Sequence, residues 1–229
     1  MGVRFVIVGT GRSGTKYASE LFSQLGIPCG HESFFDPGHA AQDNLAGDAS
    51  FGVVPFLNKF GGVVFHQVRH PLSVLSSIAA TKFFESPVPY LPYLELIEDC
   101  LPEIRQFADP ILKAVYYVVR WNRMCEAIAQ LRWRVEDLDA KTLRRAAEIV
   151  GFTRTHAECA SALDAVPQDV NRLELRGLRR LRFGWQDIPT SAQKSDLAQM
   201  AIDYGYEVSD DYCSWREEQA GPGQSSASV

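Results

Sequence analysis

The sequence lacks the features that would assign it to a membrane, a disulfide-bonded or a metal-binding class. No apolar run reaches the about 18 residues of a membrane-spanning helix. Five cysteines are scattered without a C-x-x-C pair, which argues against a disulfide framework or a zinc site. The first apolar run begins at position 3 and leaves no room for a signal peptide. We therefore expect a cytoplasmic protein with no transmembrane segment and no bound metal.

Net positive charge is lacking as well. The formal net charge of the 229 residues is -5, which argues against a nucleic-acid partner, because such binding depends on neutralising phosphates. An anionic ligand therefore needs a local basic site. One candidate is an arginine-rich segment that contains Arg172, Arg176, Arg179, Arg180 and Arg182. It could close over a phosphate or hold an anionic acceptor, and the alternative is a solvated charged face.

Apolar runs alternate with segments of helical spacing along the chain. Strands are predicted at 4–8, 28–31, 63–68 and 132–135. This alternation implies the α/β class, with a parallel sheet between helices on both faces, so three layers. The length suits one domain, residues 1–216, and the polar residues 217–229 are predicted to be a disordered tail. Ligands of such sheets bind outside the carboxyl ends of the strands.

The helical spacing gives a second set of expectations. Helices are predicted at 16–25, 72–80, 93–107, 111–131, 141–150 and 192–204. Residues 50–60 are also compatible with a helix, whereas 33–47 and 167–190 are predicted to be irregular.

The loop after the first strand has the composition of an anion site. Glycines in the segment Gly9–Tyr17 let successive N–H groups point into one cavity, and the following helix adds the positive end of its dipole. Arg12 and Lys16 supply charge, and Ser13 and Thr15 supply hydroxyl donors. A simple tight connection is the alternative, but the combination predicts a phosphate or sulfate ligand.

The same loop comes close to a Walker A motif and fails it. Gly9 and Gly14 have the Walker separation, but Thr15 occupies the lysine position. Lys16 comes one residue late, and Tyr17 follows where a hydroxyl for magnesium is needed. The next long apolar strand runs into an arginine and not into a Walker B aspartate. These departures argue against a nucleoside triphosphatase.

The segment Gly11-Arg12-Ser13-Gly14-Thr15-Lys16-Tyr17 resembles the first motif of the sulfotransferases that use 3′-phosphoadenosine 5′-phosphosulfate (PAPS), in particular the bacterial type with its P-loop sulfotransferase fold. The resemblance implies that these seven residues bind the 5′-phosphosulfate. It also implies that Arg12 takes part in catalysis, at the position that contacts the bridging oxygen.

A second segment resembles the motif with which that family holds the 3′-phosphate. Arg69 ends a strand, and Ser77 follows eight residues later on the next helix. Taken alone, the segment could be an ordinary strand-to-helix connection. Together with the first motif it implies a 3′-phosphate site. The family's C-terminal segment closes over this phosphate, which makes Arg180 and Arg182 candidates for the same site.

A third and weaker match to that family lies at Glu136 and Asp137, directly after the last predicted strand. We expect this acidic pair to be structural and to cap the next helix.

Transfer to a hydroxyl requires a base that faces the sulfur. Glu32 follows the second predicted strand and resembles the catalytic glutamate of many bacterial family members, and His31 is the alternative. Glu32 could instead only pair with a nearby arginine. A carboxylate close to Arg12 and Lys16 would have a lowered pKa unless burial compensates.

The sequence as a whole predicts a PAPS-dependent sulfotransferase that moves a sulfuryl group to a hydroxyl (or amine) acceptor and releases 3′,5′-bisphosphoadenosine (PAP). A small molecule, a glycan and a lipid all remain open as acceptor. Two other functions stay in contention, namely a P-loop nucleotide kinase or NTPase and a non-catalytic protein that binds PAP or PAPS.

Overall fold

The computed structural model describes residues 3–33, 44–85, 91–168, 181 and 183–209. In these residues five parallel strands form one sheet in the order β2-β3-β1-β4-β5. The strands are β1 (Phe5–Val8), β2 (Cys29–His31), β3 (Gly47–Ala49), β4 (Val63–Val68) and β5 (Leu131–Arg134). The proposed tail, residues 217–229, lies outside the described residues.

Seven α-helices connect and cover the strands within the described ranges. They are α1 (Thr15–Gln24), α2 (Pro71–Ala80), α3 (Leu91–Cys100), α4 (Pro110–Glu126), α5 (Ala140–Ile149), α6 (His156–Ala165) and α7 (Ala192–Asp203). No helix of this described part is both long enough and apolar enough to cross a membrane.

The sheet separates two apolar cores because side chains alternate along each strand. Phe5 and Ile7 of β1 pack on one face, against α1, α5 and α6. Val6 and Val8 pack on the other face, against α2, α4 and α7. The predicted α/β class, a parallel sheet with helices on both faces, is confirmed.

Several predicted boundaries are wrong. Strand β3 was missed because Gly-Asp-Ala has little β-propensity and Asp48 is a buried charge. Residues 50–60 contain a 3-10 turn, Val54–Lys59, with a proline in its first turn. The helix predicted at 93–107 ends at Cys100, and Pro102–Gln106 forms a separate 3-10 turn. Helix α6 was not predicted, and α4 ends at Glu126, before residue 131.

Candidate active site

The candidate site lies at the carboxyl edge of the sheet, where the strand order brings the connecting segments together. The loop Gly9–Gly14 leaves the central strand β1. Glu32 follows β2 on one side, Ser50 follows its neighbour β3, and Arg69 follows β4 on the other side.

The loop has a tight and partly strained backbone. Arg12 has φ 76° and Gly14 has φ 94°, both in the left-handed region. That region is unfavourable for an arginine, so the surrounding contacts must hold it there. Ser13 N–H donates to the Thr10 carbonyl oxygen at 3.1 Å and closes the turn. Gly9 is required, since an added Cβ would lie 2.4 Å from the Gln67 carbonyl oxygen.

Two buried hydroxyl groups inside the loop are suited to an anionic ligand. Thr10 and Ser13 are each 1% exposed, and neither hydroxyl has a hydrogen-bond partner in the described part of the chain. Unsatisfied buried polar groups are costly and call for an explanation. The first turn of α1 contains no acidic residue to oppose an anion. Hydroxyl donors beside a helix N-terminus fit a phosphate or sulfate group.

The structure brings together the two predicted anion motifs. Arg12 Nε donates to Ser77 Oγ at 2.8 Å. Arg69 Nη1 donates to the main-chain oxygen of Arg12 at 3.3 Å, across 57 residues of sequence. Arg12 therefore contacts both members of the downstream pair, Ser77 through its guanidinium and Arg69 through its main-chain oxygen.

Two other residues predicted to bind the donor point elsewhere. Lys16 is partly exposed, and its Nζ lies 3.8 Å from a carboxylate oxygen of Glu20. Tyr17 is only 2% exposed and packs in the core formed by α1, α5 and α6. Burial raises the pKa of Tyr17, and a hydrogen bond with Gln168 opposes that rise.

Glu32 is held in a mostly desolvated position. Its backbone has φ 55°, so it has left the extended conformation of β2. Its two carboxylate oxygens accept hydrogen bonds from Ser50 Oγ and from Phe51 N–H. Burial raises its pKa to about 7, the hydrogen bonds of Ser50 and Phe51 oppose that rise, and the charge of Asp48 adds to it. The net shift of the Glu32 pKa is upward because burial outweighs the hydrogen bonds that lower it.

His31 is placed differently from Glu32. Its Nε2 lies 3.1 Å from Thr15 Oγ1, so His31 is the one of the two that contacts the first turn of α1. His31 is an exposed residue, but partial desolvation of its ring and the charge of Lys16 lower its pKa to about 4. The imidazole is therefore neutral at pH 7 and weakly basic.

Two residues that hydrogen-bond the loop and Glu32 were not predicted from the sequence. Tyr117 on α4 is buried, and its hydroxyl oxygen accepts a hydrogen bond from Gly11 N–H at 2.8 Å. The charge of Glu32 contributes to raising the Tyr117 pKa, after the larger effect of burial. In sequence Tyr117 belongs to an ordinary apolar helix face and gives no signal. Ser50 was missed because strand β3, which places it beside Glu32, was missed.

Glu136 corrects part of the third prediction. It is structural, as expected, but it does not cap α5, whose first turn is capped by Asp139. Glu136 accepts hydrogen bonds from His70 N–H and from the Tyr206 hydroxyl, both at 2.8 Å. It thereby ties the end of β5 to the turn that follows Arg69.

The arginine-rich segment falls, apart from Leu181, in a part of the chain that the structure does not describe. The five arginines of that segment, Arg180 and Arg182 among them, lie outside the described residues. Leu181 is described, and its carbonyl oxygen accepts a hydrogen bond from Ser76 Oγ, next to Ser77 on α2. Within the described ranges, no group of three or more His, Cys, Asp or Glu side chains is arranged to hold a metal ion.

Comparison with known proteins adds a distant structural likeness. No family model matches the sequence, and no curated protein matches it. A solved structure of a sulfotransferase from Alicyclobacillus acidocaldarius is similar at 13% sequence identity with a TM-score of 0.47. The alignment covers 91% of this chain and 98% of that one. A likeness this distant carries no statement about activity.

Proposed function

We propose that this protein is a sulfotransferase that moves a sulfuryl group from PAPS to a hydroxyl or amine acceptor. One observation carries the proposal. Arg12 of the loop bonds Ser77 and receives a hydrogen bond from Arg69, so two anion motifs meet in one site. A nucleotide with a single phosphate group would use one of them. A nucleotide with anionic groups on both its 3′ and 5′ sides would use both.

The loop residues fit the phosphosulfate end of such a donor. The hydroxyl groups of Thr10 and Ser13, together with the N-terminus of α1, would donate to its oxygens. Arg69 and Ser77 would hold the 3′-phosphate through charge-assisted hydrogen bonds. Lys16 and Tyr17 would join the site only if their side chains left their present contacts with Glu20 and Gln168. Arg180 and Arg182 are included in the proposal by family resemblance alone.

The reaction would be a direct displacement. Glu32 takes the proton of the acceptor hydroxyl while the acceptor oxygen attacks sulfur. The bond from sulfur to the bridging phosphate oxygen breaks, and PAP leaves with the electron pair. Arg12 and the N-terminus of α1 stabilise the charge that develops on the leaving phosphate, which is electrostatic preorganisation of the phosphoryl-transfer kind.

The pKa values favour Glu32 over His31 as the base. A general base works best when its pKa is near the operating pH. The pKa of Glu32 is raised to about 7, and that of His31 is lowered to about 4. At neutral pH both can accept a proton, but Glu32 is the stronger base.

Two rival functions make different predictions. A P-loop kinase or NTPase would need the Walker lysine, and Thr15 stands in its place. A non-catalytic protein that binds PAP is favoured by one observation. Both carboxylate oxygens of Glu32 already accept hydrogen bonds within the protein.

Thermal shift with PAP and with ATP–magnesium separates the sulfotransferase from the kinase. We expect stabilisation by PAP, and stabilisation by ATP–magnesium alone would refute the proposal.

Product formation from labelled PAPS separates the enzyme from the non-catalytic binder. The acceptor panel should contain a phenol, a sugar and a fatty alcohol, because the acceptor class is open. We expect Glu32→Gln to lower turnover by about 10²–10⁴-fold and to leave PAP binding unchanged. Glu148→Gln, at an exposed position on α5, is the matched control. PAP binding without transfer to any acceptor would favour the non-catalytic alternative.

The remaining parts of the proposal concern the setting of the enzyme. We propose the cytoplasm as its compartment, where thiols stay reduced. The four described cysteines, Cys29, Cys100, Cys125 and Cys159, form no disulfide. The domain bounds 1–216 stay a prediction.

A further inference from the structure

Gln67 is one of two buried polar side chains in the mostly apolar strand β4, and the other is His66. Gln67 is 0% exposed and lies two residues before Arg69. Its Nε2 donates to the Ser13 carbonyl oxygen at 2.9 Å. Its Oε1 accepts from the indole N–H of Trp133 at 3.0 Å.

The sheet explains how Gln67 reaches the loop. Phe65 packs in the core beside α1, and alternation along β4 sends Gln67 to the same face. Gln67 and Trp133 are directly paired residues of the neighbouring strands β4 and β5. Trp133 in turn packs on Phe65, with ring centroids 5.5 Å apart. Gln67 therefore lies between the packed side chains of β4 and β5 and the loop Gly9–Gly14.

The two hydrogen bonds fix the orientation of the Gln67 amide. An indole N–H can only donate, so the amide oxygen must face Trp133. The amide nitrogen is then left for the Ser13 carbonyl. A flipped amide would place a donor against a donor and an acceptor against an acceptor. Burying an amide without partners is costly, so this pair of partners strongly favours one arrangement.

The orientation of Gln67 has a consequence for the loop backbone. No peptide bond of the described chain is cis, so the Ser13 carbonyl and the Gly14 N–H point in opposite directions. Gln67 draws that carbonyl toward the sheet, which directs the Gly14 N–H away from the sheet. A carbonyl oxygen turned the other way would repel an anion. The approach is close, because a Cβ added to Gly14 would lie 3.0 Å from Gln67 Nε2.

We propose that Gln67 is a positioning residue that presets the Ser13–Gly14 peptide for binding the 5′-phosphate side of the donor. It does not touch the ligand. This inference rests on the proposed function and makes it more specific, because it assigns Gln67 to one end of the nucleotide. The other end, held by Arg69 and Ser77, should depend much less on Gln67.

The test is calorimetric titration of Gln67→Met, which keeps the size of the side chain and removes both hydrogen bonds. The probes are 5′-AMP, 3′-AMP and inorganic pyrophosphate. We expect about tenfold weaker binding of 5′-AMP and pyrophosphate, equivalent to about 1.4 kcal/mol. Binding of 3′-AMP should change less than about twofold. Equal losses for both nucleotides, or no loss, would overturn the inference.

Trp133→Phe is the second variant, in case Gln67→Met does not fold. It removes the hydrogen bond that fixes the amide orientation and keeps an aromatic ring against Phe65, so we expect about a threefold loss for 5′-AMP. Wild-type protein that binds pyrophosphate but neither nucleotide would contradict the proposed function. The difference in pyrophosphate affinity between wild type and Gln67→Met would still test the role of Gln67. Wild-type protein that binds no anion at all would overturn the inference itself.

Discussion

The two sides of the candidate site differ in how they treat charge. The loop side, residues 9–16 with 69–77, gathers arginines and hydroxyl groups around Arg12. The carboxylate side, residues 30–33 with 48–52, contains the fully buried Asp48, and burial raises the pKa of Glu32 there to about 7. A cationic cradle and a nearly neutral carboxyl group thus share one sheet edge. Strand ends at one edge of a sheet can therefore differ in net charge when the burial of their side chains differs.

Arg69→Ala should have the largest effect on the loop side. Loss of a charge-assisted contact to phosphate costs about 1.5–3 kcal/mol, so PAP binding should weaken by roughly 10–150-fold. Binding of 5′-AMP should change far less, because that nucleotide lacks the 3′-phosphate. Isothermal titration measures both affinities, with Arg144→Ala on α5 as the exposed control. An equal loss for both nucleotides would mean that the two anion subsites are not separate.

Ser50→Ala should have the largest effect on the carboxylate side short of removing Glu32. The Ser50 hydroxyl donates to the ionised carboxylate and so lowers the Glu32 pKa. Its removal should raise that pKa further and move the acid limb of the pH–rate profile to higher pH. Activity at pH 7 should fall by about fivefold if the pKa rises from about 7 by about one unit, because the ionised fraction falls from about one half to about one tenth. Ser195→Ala, at an exposed position on α7, should leave the profile unchanged.

The wild-type protein should show opposite pH trends for activity and stability. Glu32 must be ionised to act as a base, so turnover should rise as the pH increases through about 7. The raised pKa means that the folded state binds this proton more tightly than the unfolded state does. The contribution of Glu32 to stability is therefore greatest at low pH and decreases between about pH 4.5 and 7. Denaturant titrations of wild type and Glu32→Gln isolate this contribution, and parallel pH dependences would contradict it.

Lys16→Gln should have the smallest effect. Its side chain is exposed and lies at surface ion-pair distance from Glu20, so it contributes little in its present position. We expect less than about a threefold change in PAP affinity. A loss of tenfold or more would show that Lys16 moves onto the ligand, and it would restore this residue to the binding set.

Sequence patterns identified the loop side better than the carboxylate side. Arg12, Arg69 and Ser77 belong to short motifs whose strand and helix are local, so their meeting at one edge followed from the parallel sheet. The environment of Glu32 depends on β3, whose three residues carry no strand pattern. Tyr117 and Gln67 reach the loop across 106 and 54 residues of sequence. Such contacts depend on tertiary packing and leave no periodic signal. The run of β4 contains two polar residues, His66 and Gln67, and nothing in the sequence shows which of them faces the loop.

The central place of β1 in the sheet also has a consequence for how the site is made. Strand β1 and its loop are synthesised before the other four strands, and their neighbours β3 and β4 follow some 40 to 60 residues later. Glu136, which braces the turn after Arg69, comes later still. The loop is therefore the earliest part of the site to be synthesised and among the last to gain its supports. A nascent chain should acquire nucleotide affinity only after β5 has emerged, so ligand binding would report completion of the sheet.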